Sequence, residues 1–308
     1  MIRFSTLIVC VLLLGLSGQQ ARAQTCSCAG VPILGAMQFA TPRAQQWFVA
    51  GTYEYHDLSK LVSGSSSIPN ETGRDRTSQA FVIEASRGLA EKWSLSVLLS
   101  AIKHKRDVGG ERDTVSGVGD AVVMLKYSPR TISLYDKTTL SFGIGARLPV
   151  GEDEASKQGV IYAEDLQPST GAVGGIAWLY AARALNDSKG AQIYVGATHT
   201  HNGDNDRKYQ FGHSTTVSVG GSYQTQSPWG FNLELLYRKA QRDQRNSIQI
   251  PNTGGEWLDA IPAIQYHLNE SLALKLSAKI PVSQDLNDVL QFTTKYAFRL
   301  SMSYVFGT

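Results

Sequence analysis

The chain has 308 residues, of which 42% are hydrophobic and 18% charged, and its formal net charge at pH 7 is +3. Because this charge is small for the length, the composition gives no support to a role in binding nucleic acid or another polyanion. The mean hydropathy of −0.16 argues against a helical membrane protein, but not against a β-barrel, in which only alternate strand residues meet lipid.

Residues 1–23 have the features of a secretory signal peptide. Arg3 precedes an apolar run, Leu7–Leu16, and residues 21–23 read Ala-Arg-Ala, which fits a signal-peptidase site. The run is too short to span a bilayer, and no later segment supplies about 20 consecutive apolar residues. We therefore predict an exported chain that begins at Gln24.

Residues 24–43 are predicted to form a periplasmic tail that carries Cys26 and Cys28. Two thiolates at this spacing could capture a soft metal such as Cu(I) or Zn. A disulfide between cysteines so close in an extended chain would be strained. Spectator cysteines, or a tail folded into a lumen as a plug, are the alternatives to a metal site.

From residue 44 onward, segments with alternating polar and apolar residues recur, mostly 10–16 residues long. That length suits a tilted membrane strand and exceeds the five or six residues usual in globular sheets. The last segment illustrates the pattern, because Tyr296, Leu300 and Phe306 share one face and Ala297, Arg299 and Ser303 the other. The predicted strands are 44–57, 76–88, 91–104, 117–128, 137–150, 169–183, 189–200, 211–225, 229–242, 256–268, 271–282 and 294–306.

The connections between these strands alternate in length. Those after even-numbered strands are mostly short, whereas those after odd-numbered strands are long and polar. Outer-membrane barrels show this asymmetry, with short periplasmic turns and longer outside loops. We predict an all-β fold: one transmembrane antiparallel β-barrel of about 12 strands, residues 44–308, with periplasmic termini. The predicted long loops are 58–75, 105–116, 151–168, 201–210, 243–255 and 283–293.

The strand parity also predicts which side chains line the lumen and which meet the membrane surface. The excess of basic residues among the predicted lumen residues favours anionic or polarisable solutes. A ladder of paired charges that rigidifies the lumen is the alternative. Trp47, Trp93, Trp178 and Trp229 lie near strand ends and are expected in aromatic girdles. The predicted lumen-lining residues are Lys126, Arg147, Arg183, Glu234, Arg238, Lys275, Lys279 and Arg299.

Two glycine-rich stretches carry a resemblance to a known family. Ser116-Gly-Val-Gly-Asp-Ala-Val-Val-Met-Leu-Lys-Tyr127 is followed by Leu140-Ser-Phe-Gly-Ile-Gly-Ala-Arg-Leu-Pro-Val-Gly151. This resembles the bacterial outer-membrane β-barrel transporters grouped under the meta-pathway of phenol degradation. The resemblance implies a channel for small molecules, aromatic or hydrophobic compounds among them. The outward aromatics of the terminal strand also resemble the signal read by the barrel-assembly machinery.

The leading functional prediction is an outer-membrane channel or transporter with outer-membrane lipid, the assembly machinery and a small-molecule solute as partners. No catalytic residue and no cofactor is predicted. A lipid hydrolase with a Ser/His pair on the outer wall is the alternative enzyme. His199 and His213 have the outward parity that it needs, and Ser214 is near, but no nucleophile motif surrounds them.

Two further readings involve the outside of the barrel. His199, His201 and His213 flank a loop with Asp204 and Asp206, which could supply oxygen ligands to a metal. The histidines fall on the lipid-facing parity, and solvated rim residues are the favoured interpretation. The last alternative is a structural or adhesive barrel that acts through its long loops.

Overall fold

A computed structural model describes residues 42–71, 73–131, 137–185 and 190–307. In these ranges twelve antiparallel strands close into a barrel, because β1 pairs with both β2 and β12. No helix in the described ranges is long and apolar enough to cross a bilayer. The strands are β1 Trp47–Asp57, β2 Asp75–Ala90, β3 Trp93–Val108, β4 in two segments (Glu111–Val118 and Ala121–Arg130), β5 Thr138–Leu148, β6 Gly174–Ala184, β7 Ala191–Asn202, β8 Ser214–Gln224, β9 Trp229–Ala240, β10 Gly255–His267, β11 Leu272–Leu286 and β12 Tyr296–Phe306.

The predicted barrel is confirmed, and one predicted loop is wrong. Residues 105–116 are not a long loop, since β3 runs to Val108 and β4 starts at Glu111. Gly109 and Gly110 form the turn with φ of 63° and 85°, a conformation that glycine adopts without steric cost. The outer segment of β4 pairs with β3 but not with β5, so the β3–β4 hairpin continues beyond that part of the wall.

The two faces of the wall differ as the period-two pattern predicts. On β12, Phe298, Leu300 and Met302 are 50%, 51% and 55% exposed, whereas Ala297 and Ser301 are buried. Exposed apolar side chains on this scale are the lipid-facing surface of a membrane barrel. The exposed apolar belt and the closed sheet together give the architecture of an outer-membrane barrel.

Aromatic side chains mark the end of the barrel that carries the short turns. Trp178 is not among them: the prediction for this residue is wrong, because its side chain lies inside the barrel and is 4% exposed. Three ring pairs connect neighbouring strands at this end, with centroids 6.4, 4.8 and 4.7 Å apart: Trp47–Phe306, Trp93–Tyr127 and Trp229–Tyr266.

At the other end, which we call the mouth, five long connections fold into small ordered pieces. Their described residues are 58–71 and 73–74, 149–173, 203–213, 241–254 and 287–295. We refer to each by its flanking strands, for example the β5–β6 loop. Their elements are strands Lys60–Ser63, Ser66–Ser67, Ser156–Lys157, Val160–Ile161, Tyr209–Gln210, Gln244–Arg245, Ile248–Gln249 and Gln291–Thr293, and the 3₁₀ helix Glu164–Leu166.

The lipid-facing assignment of β12 can be tested by introducing a charge. Replacing Leu300 with lysine is expected to lower the free energy of unfolding in vesicles by about 2–4 kcal/mol, because a charge would face hydrocarbon near the midplane. Val160→Lys is the control, since Val160 is 71% exposed in the β5–β6 loop. Urea titration of the folded protein in vesicles measures both variants, and equal stability would contradict the assignment.

Candidate functional site: the lumen and its loop-covered mouth

The two glycine-rich motifs meet at the interruption of β4. Asp120 lies in the interruption, is 1% exposed, and has its Oδ2 3.3 Å from Nε of Arg147 on β5. The same carboxylate accepts hydrogen bonds from Ser169 Oγ at 2.5 Å and Thr170 Oγ1 at 2.6 Å. Asp120 therefore holds the end of the β5–β6 loop against the inner edge of the wall.

Two motif glycines make this junction possible. A Cβ at Gly151 would lie 1.8 Å from the carbonyl oxygen of Val118, and a Cβ at Gly119 would lie 2.3 Å from Ser100 Oγ. Real Cβ atoms do not approach other atoms so closely. Gly151 therefore lets the chain after β5 pack on the interrupted β4, and Gly119 lets the interruption lie against β3. The glycines thus have a packing role.

The β5–β6 loop then crosses the mouth. Asp165 accepts a hydrogen bond at 2.5 Å from Nη1 of Arg76, which lies at the outer end of β2. The neighbouring Glu164 accepts bonds from Arg207 of the β7–β8 loop and Arg245 of the β9–β10 loop. Because β2 and the β7–β8 loop lie nearly opposite each other around the barrel, residues 164–165 extend across its opening.

The contacts of Glu164 are those of a buried, fully satisfied carboxylate. Arg207 donates from Nε at 2.9 Å and from Nη2 at 2.6 Å, Arg245 donates from Nη2 at 3.3 Å, and Asn205 donates at 3.1 Å. The hydrogen bonds to Glu164 raise the pKa of the Arg207 guanidinium above its usual value, so this cation stays charged at any physiological pH. We call Arg76, Glu164, Asp165, Arg207 and Arg245 the mouth cluster.

The remaining loops are bonded to their neighbours. Residues 60–62 of the β1–β2 loop pair with residues 291–293 of the β11–β12 loop. Arg242 and Asp288 connect the β9–β10 and β11–β12 loops, with Nη2 and Oδ1 2.9 Å apart. Lys157 reaches Asp113 of the β3–β4 hairpin at 3.1 Å. The loops therefore form a connected ring around the mouth.

Below the mouth, one side of the lumen is mainly apolar and aromatic, and it also carries the buried pair Lys126–Glu84. Trp178, Tyr180 and Tyr194 form a ladder with ring centroids 6.0 Å apart at each step. Gly143 lets the indole lie against β5, since a Cβ there would be 3.1 Å from Trp178. This apolar arc spans β2 to β7 and consists of Ala80, Val82, Leu98, Ile102, Val122, Met124, Ile176, Trp178, Tyr180, Ala182 and Tyr194.

The opposite side of the lumen, from β9 through β12 to β1, is charged. Arg299 donates to Glu54 at 2.5 Å, and Lys279 lies 3.5 Å from Asp259. Glu234 accepts the hydroxyl of Tyr194 at 2.8 Å, which joins the charged arc to the aromatic ladder. Buried ions that are paired in this way avoid most of the penalty of an isolated buried charge.

Seven of the eight predicted lumen residues lie on the inner face by strand alternation and burial: Lys126, Arg147, Glu234, Arg238, Lys275, Lys279 and Arg299. Arg183 is a wrong prediction, because it is exposed on the outer face while Ala182 and Ala184 are buried. The inner face of β6 is occupied by Trp178 and Tyr180. Arg183 is tolerated outside because it lies at the periplasmic end of the strand, where a charge costs little.

The inner charges differ in how they are compensated. Lys126 lies 3.9 Å from Glu84 and 5.3 Å from the Trp178 ring, and Arg238 stacks over Trp257 at 3.8 Å. Within the described ranges Lys275 makes no hydrogen bond or ion pair. Most of the inner charges therefore fit the paired-ladder alternative.

The sequence also predicted two candidate metal sites, one at the cysteines of the tail and one at the histidines around the β7–β8 loop. Cys26 and Cys28 lie outside the described residues. In the described ranges no group of three or more His, Cys, Asp or Glu side chains could hold a metal ion. His201 and His213 stack with centroids 4.0 Å apart.

The outer-wall Ser/His pair is not formed either. His199 bonds Thr215 Oγ1 at 2.9 Å, and Thr215 is exposed on the outer face. Ser214 lies on the inner face of β8 and makes no hydrogen bond to a histidine in the part of the chain that the structure describes. A hydrolase of the kind considered above therefore lacks its nucleophile–base contact.

Sequence reasoning missed the mouth cluster and the role of Asp120. The interruption of a strand by Gly119 and Asp120 was a usable signal, because a carboxylate there must find donors once it is buried. No comparable signal existed for Glu164 and Asp165, since their partners come from three other parts of the chain.

Known structures share this fold. The chain is similar to the outer membrane channel from Pseudomonas putida F1 with a TM-score of 0.70 at 11% identity, covering 87% of this chain and 97% of that one. It is similar to the β domain of the Bordetella autotransporter BrkA with a TM-score of 0.50 at 12% identity, covering 85% and 100%. Identities this low show the fold alone. No protein-family model and no curated protein matches the sequence.

The close packing at the motif junction predicts that one methyl group added at Gly151 lowers the stability of the barrel. Gly151→Ala should lower the free energy of unfolding by about 1–3 kcal/mol, because the added Cβ overpacks the contact with Val118. Gly175→Ala is the control, since no atom lies within 4 Å of a Cβ there. Denaturant midpoints of the refolded barrels compare the two, and equal midpoints would refute the packing role.

Acid is predicted to destabilise the ring of loops by protonating Asp288. The hydrogen bond from Arg242 holds the pKa of this carboxyl below its ordinary value. A lowered pKa means that the ionised form stabilises the folded loop, so the stabilisation is present above about pH 4 and is lost as the pH falls through the lowered pKa.

Hydrogen exchange of residues 287–295, corrected for its intrinsic pH dependence, measures this effect. Exchange in the wild type should be constant from about pH 8 to pH 5 and should accelerate below about pH 4. Asp288→Asn should exchange faster throughout and without that acid step, whereas Asp206→Asn, an exposed change in the β7–β8 loop, should behave as the wild type does. An acid step retained in Asp288→Asn would assign it to another group.

Proposed function

We propose that this chain is an outer-membrane channel for small molecules whose mouth is held closed by its own loops. The observation that carries the proposal is the position of residues 164–165 across the mouth, above a lumen with one aromatic and one charged side. A protein that served only as a membrane anchor would have no need for an interior divided in this way. The shared fold with an outer membrane channel supports the proposal.

The inner surface supports a selective path. A lumen of twelve strands is narrow, and the aromatic ladder narrows it further on one side. Solute rings that stack on such side chains gain about 0.5–1.5 kcal/mol each beyond their buried area. We propose that the solutes are small aromatic or otherwise apolar compounds, in line with the resemblance to transporters of the phenol-degradation group.

Charged residues from both sides of the lumen lie along the same path. In this proposal the solute passes Lys126, Arg147, Glu234, Arg238, Lys275, Lys279 and Arg299. Of these, Lys275 has no bonding partner in the described ranges. An ammonium group in that situation favours solutes with a negative or polarisable group. The paired residues instead keep the wall rigid.

The proposal also includes export of the chain and its insertion into the outer membrane. Residues 1–23 would direct the chain out of the cytoplasm, and the outward aromatics of β12 would be recognised by the barrel-assembly machinery. We propose no second function, because Ser214 and the exposed histidine His199 lie on opposite faces of the wall.

The mouth cluster provides the test of the channel. Glu164→Gln removes charge-assisted hydrogen bonds worth about 1.5–3 kcal/mol. It also takes the carboxylate partner from Arg245, while among the described carboxylates Arg207 keeps only its contact with Asp153 at 3.2 Å and the longer one with Glu154. The open probability should therefore rise roughly 10- to 100-fold at the same voltage and salt. Single-channel recording in planar bilayers measures it, and uptake of benzyl alcohol and benzoate into liposomes measures solute flux.

Glu71→Gln is the matched control, because it removes an exposed carboxylate from the β1–β2 loop and should leave the open probability unchanged. Absence of conductance and of uptake in both the wild type and Glu164→Gln would refute the channel. Conductance that is equal in these two proteins would keep the channel and refute the closing role of the mouth cluster.

A further inference from the structure

A cluster of polar side chains interrupts the outer face just beyond the apolar belt of β2, β3 and β4. Lys103 and Lys105 are both exposed and share the outward parity of Leu99, which is 48% exposed. The alternate residues Ile102 and His104 are buried inside. Both lysines therefore project away from the barrel, toward the surrounding membrane.

The strand register arranges the neighbours in two rows. Lys103 lies between Gln79 on β2 and Ser116 on β4, whereas Lys105 lies between Thr77 and Thr114. The next row toward the periplasm is apolar and consists of Phe81, Ala101 and Val118. The two lysines thus lie at the border between hydrocarbon-facing and polar surface.

The border coincides with an aromatic girdle on the neighbouring strand. Tyr55 of β1 is the register partner of Gln79, and its ring lies 6.4 Å from that of Tyr296. Tyrosine is enriched at the level of lipid headgroups. Lys103 belongs to the same row of the sheet as Gln79, so its ammonium group lies at headgroup level.

Neither lysine forms an ion pair with the residues that the structure describes, and the carboxylate of Asp107, two residues beyond Lys105 on the same face of β3, is bonded to Arg112 at 3.3 Å. In the described part of the chain, Lys103 and Lys105 make no ion pair or hydrogen bond, and their four register neighbours are uncharged. Lys239, an outward lysine on the other side of the barrel, instead bonds Glu256 at 2.7 Å. Two adjacent ammonium groups repel each other unless an anion lies between them.

We infer that Lys103 and Lys105, with the hydroxyl groups of Thr77, Thr114 and Ser116, bind the phosphate group of an outer-leaflet lipid. A phosphate accepts several hydrogen bonds and carries the charge that two ammonium groups require. The lipid's acyl chains would lie on Phe81, Ala101 and Val118 directly below. The inference rests on the proposed outer-membrane location and is independent of channel activity.

The test compares lipid retention by the full-length protein in phosphatidylcholine vesicles that contain lipid A as the probe. Each lysine near an anionic surface contributes about fivefold in affinity, so Lys103→Gln/Lys105→Gln should retain lipid A about 25-fold more weakly than the wild type. Lys239→Gln should retain it as the wild type does. Retention is measured by native mass spectrometry, and thermal unfolding verifies that each variant is folded.

Two further measurements identify the chemical group of the lipid that the protein binds. Lipid A from which the phosphates have been removed should be retained no better by the wild type than by the double variant. Inorganic phosphate should raise the unfolding temperature of neither protein, because it lacks the acyl chains that hold the lipid on the belt. Equal retention of lipid A by the wild type and the double variant would overturn the inference. It would also be overturned if the wild type retained the phosphate-free lipid as strongly as it retains lipid A.

Discussion

The pairing of β1 with β12 is the constraint on which the rest of the structure depends. In hydrocarbon every backbone N–H and C=O must be bonded within the protein, so a sheet that crosses a membrane has to close. Closure gives one face to lipid and the other to a lumen, and it confines the long connections, which the antiparallel strand order places at one end, to a small circle. Both the apolar belt and the crowded mouth follow from it.

Closure also explains where the polar chemistry is concentrated. Inside, most charges form pairs such as Arg299–Glu54 and Lys279–Asp259, because an isolated ion in a narrow lumen loses most of its hydration. At the mouth, loops confined to a small circle must satisfy their polar groups on one another. Glu164 is the centre of that arrangement, and it links the wall at β2 to the loops on the far side through the adjacent Asp165.

The sequence predicted the strands well because a barrel wall alternates with a period of two, and each strand carries its own evidence. The exception is β6, where Ile176, Trp178 and Tyr180 face inward while Ala177 and Leu179 face outward. Because both faces of β6 carry apolar residues, the period-two pattern does not show which face points into the lumen. The one charged residue, Arg183, then suggested the wrong face. Lumen residues on strands with a polar inner face were assigned to the correct side.

The sequence alone thus determined the number and order of strands, the lipid-facing side chains of most of them, and which connections are long, apart from residues 105–116. Only the tertiary structure decided what the long connections do. Asp165 meets Arg76 across 89 positions of sequence, and Asp120 meets Thr170 across 50. A loop has no repeating pattern that reports its partners. Those contacts exist only because the closed sheet has already brought the loop ends together.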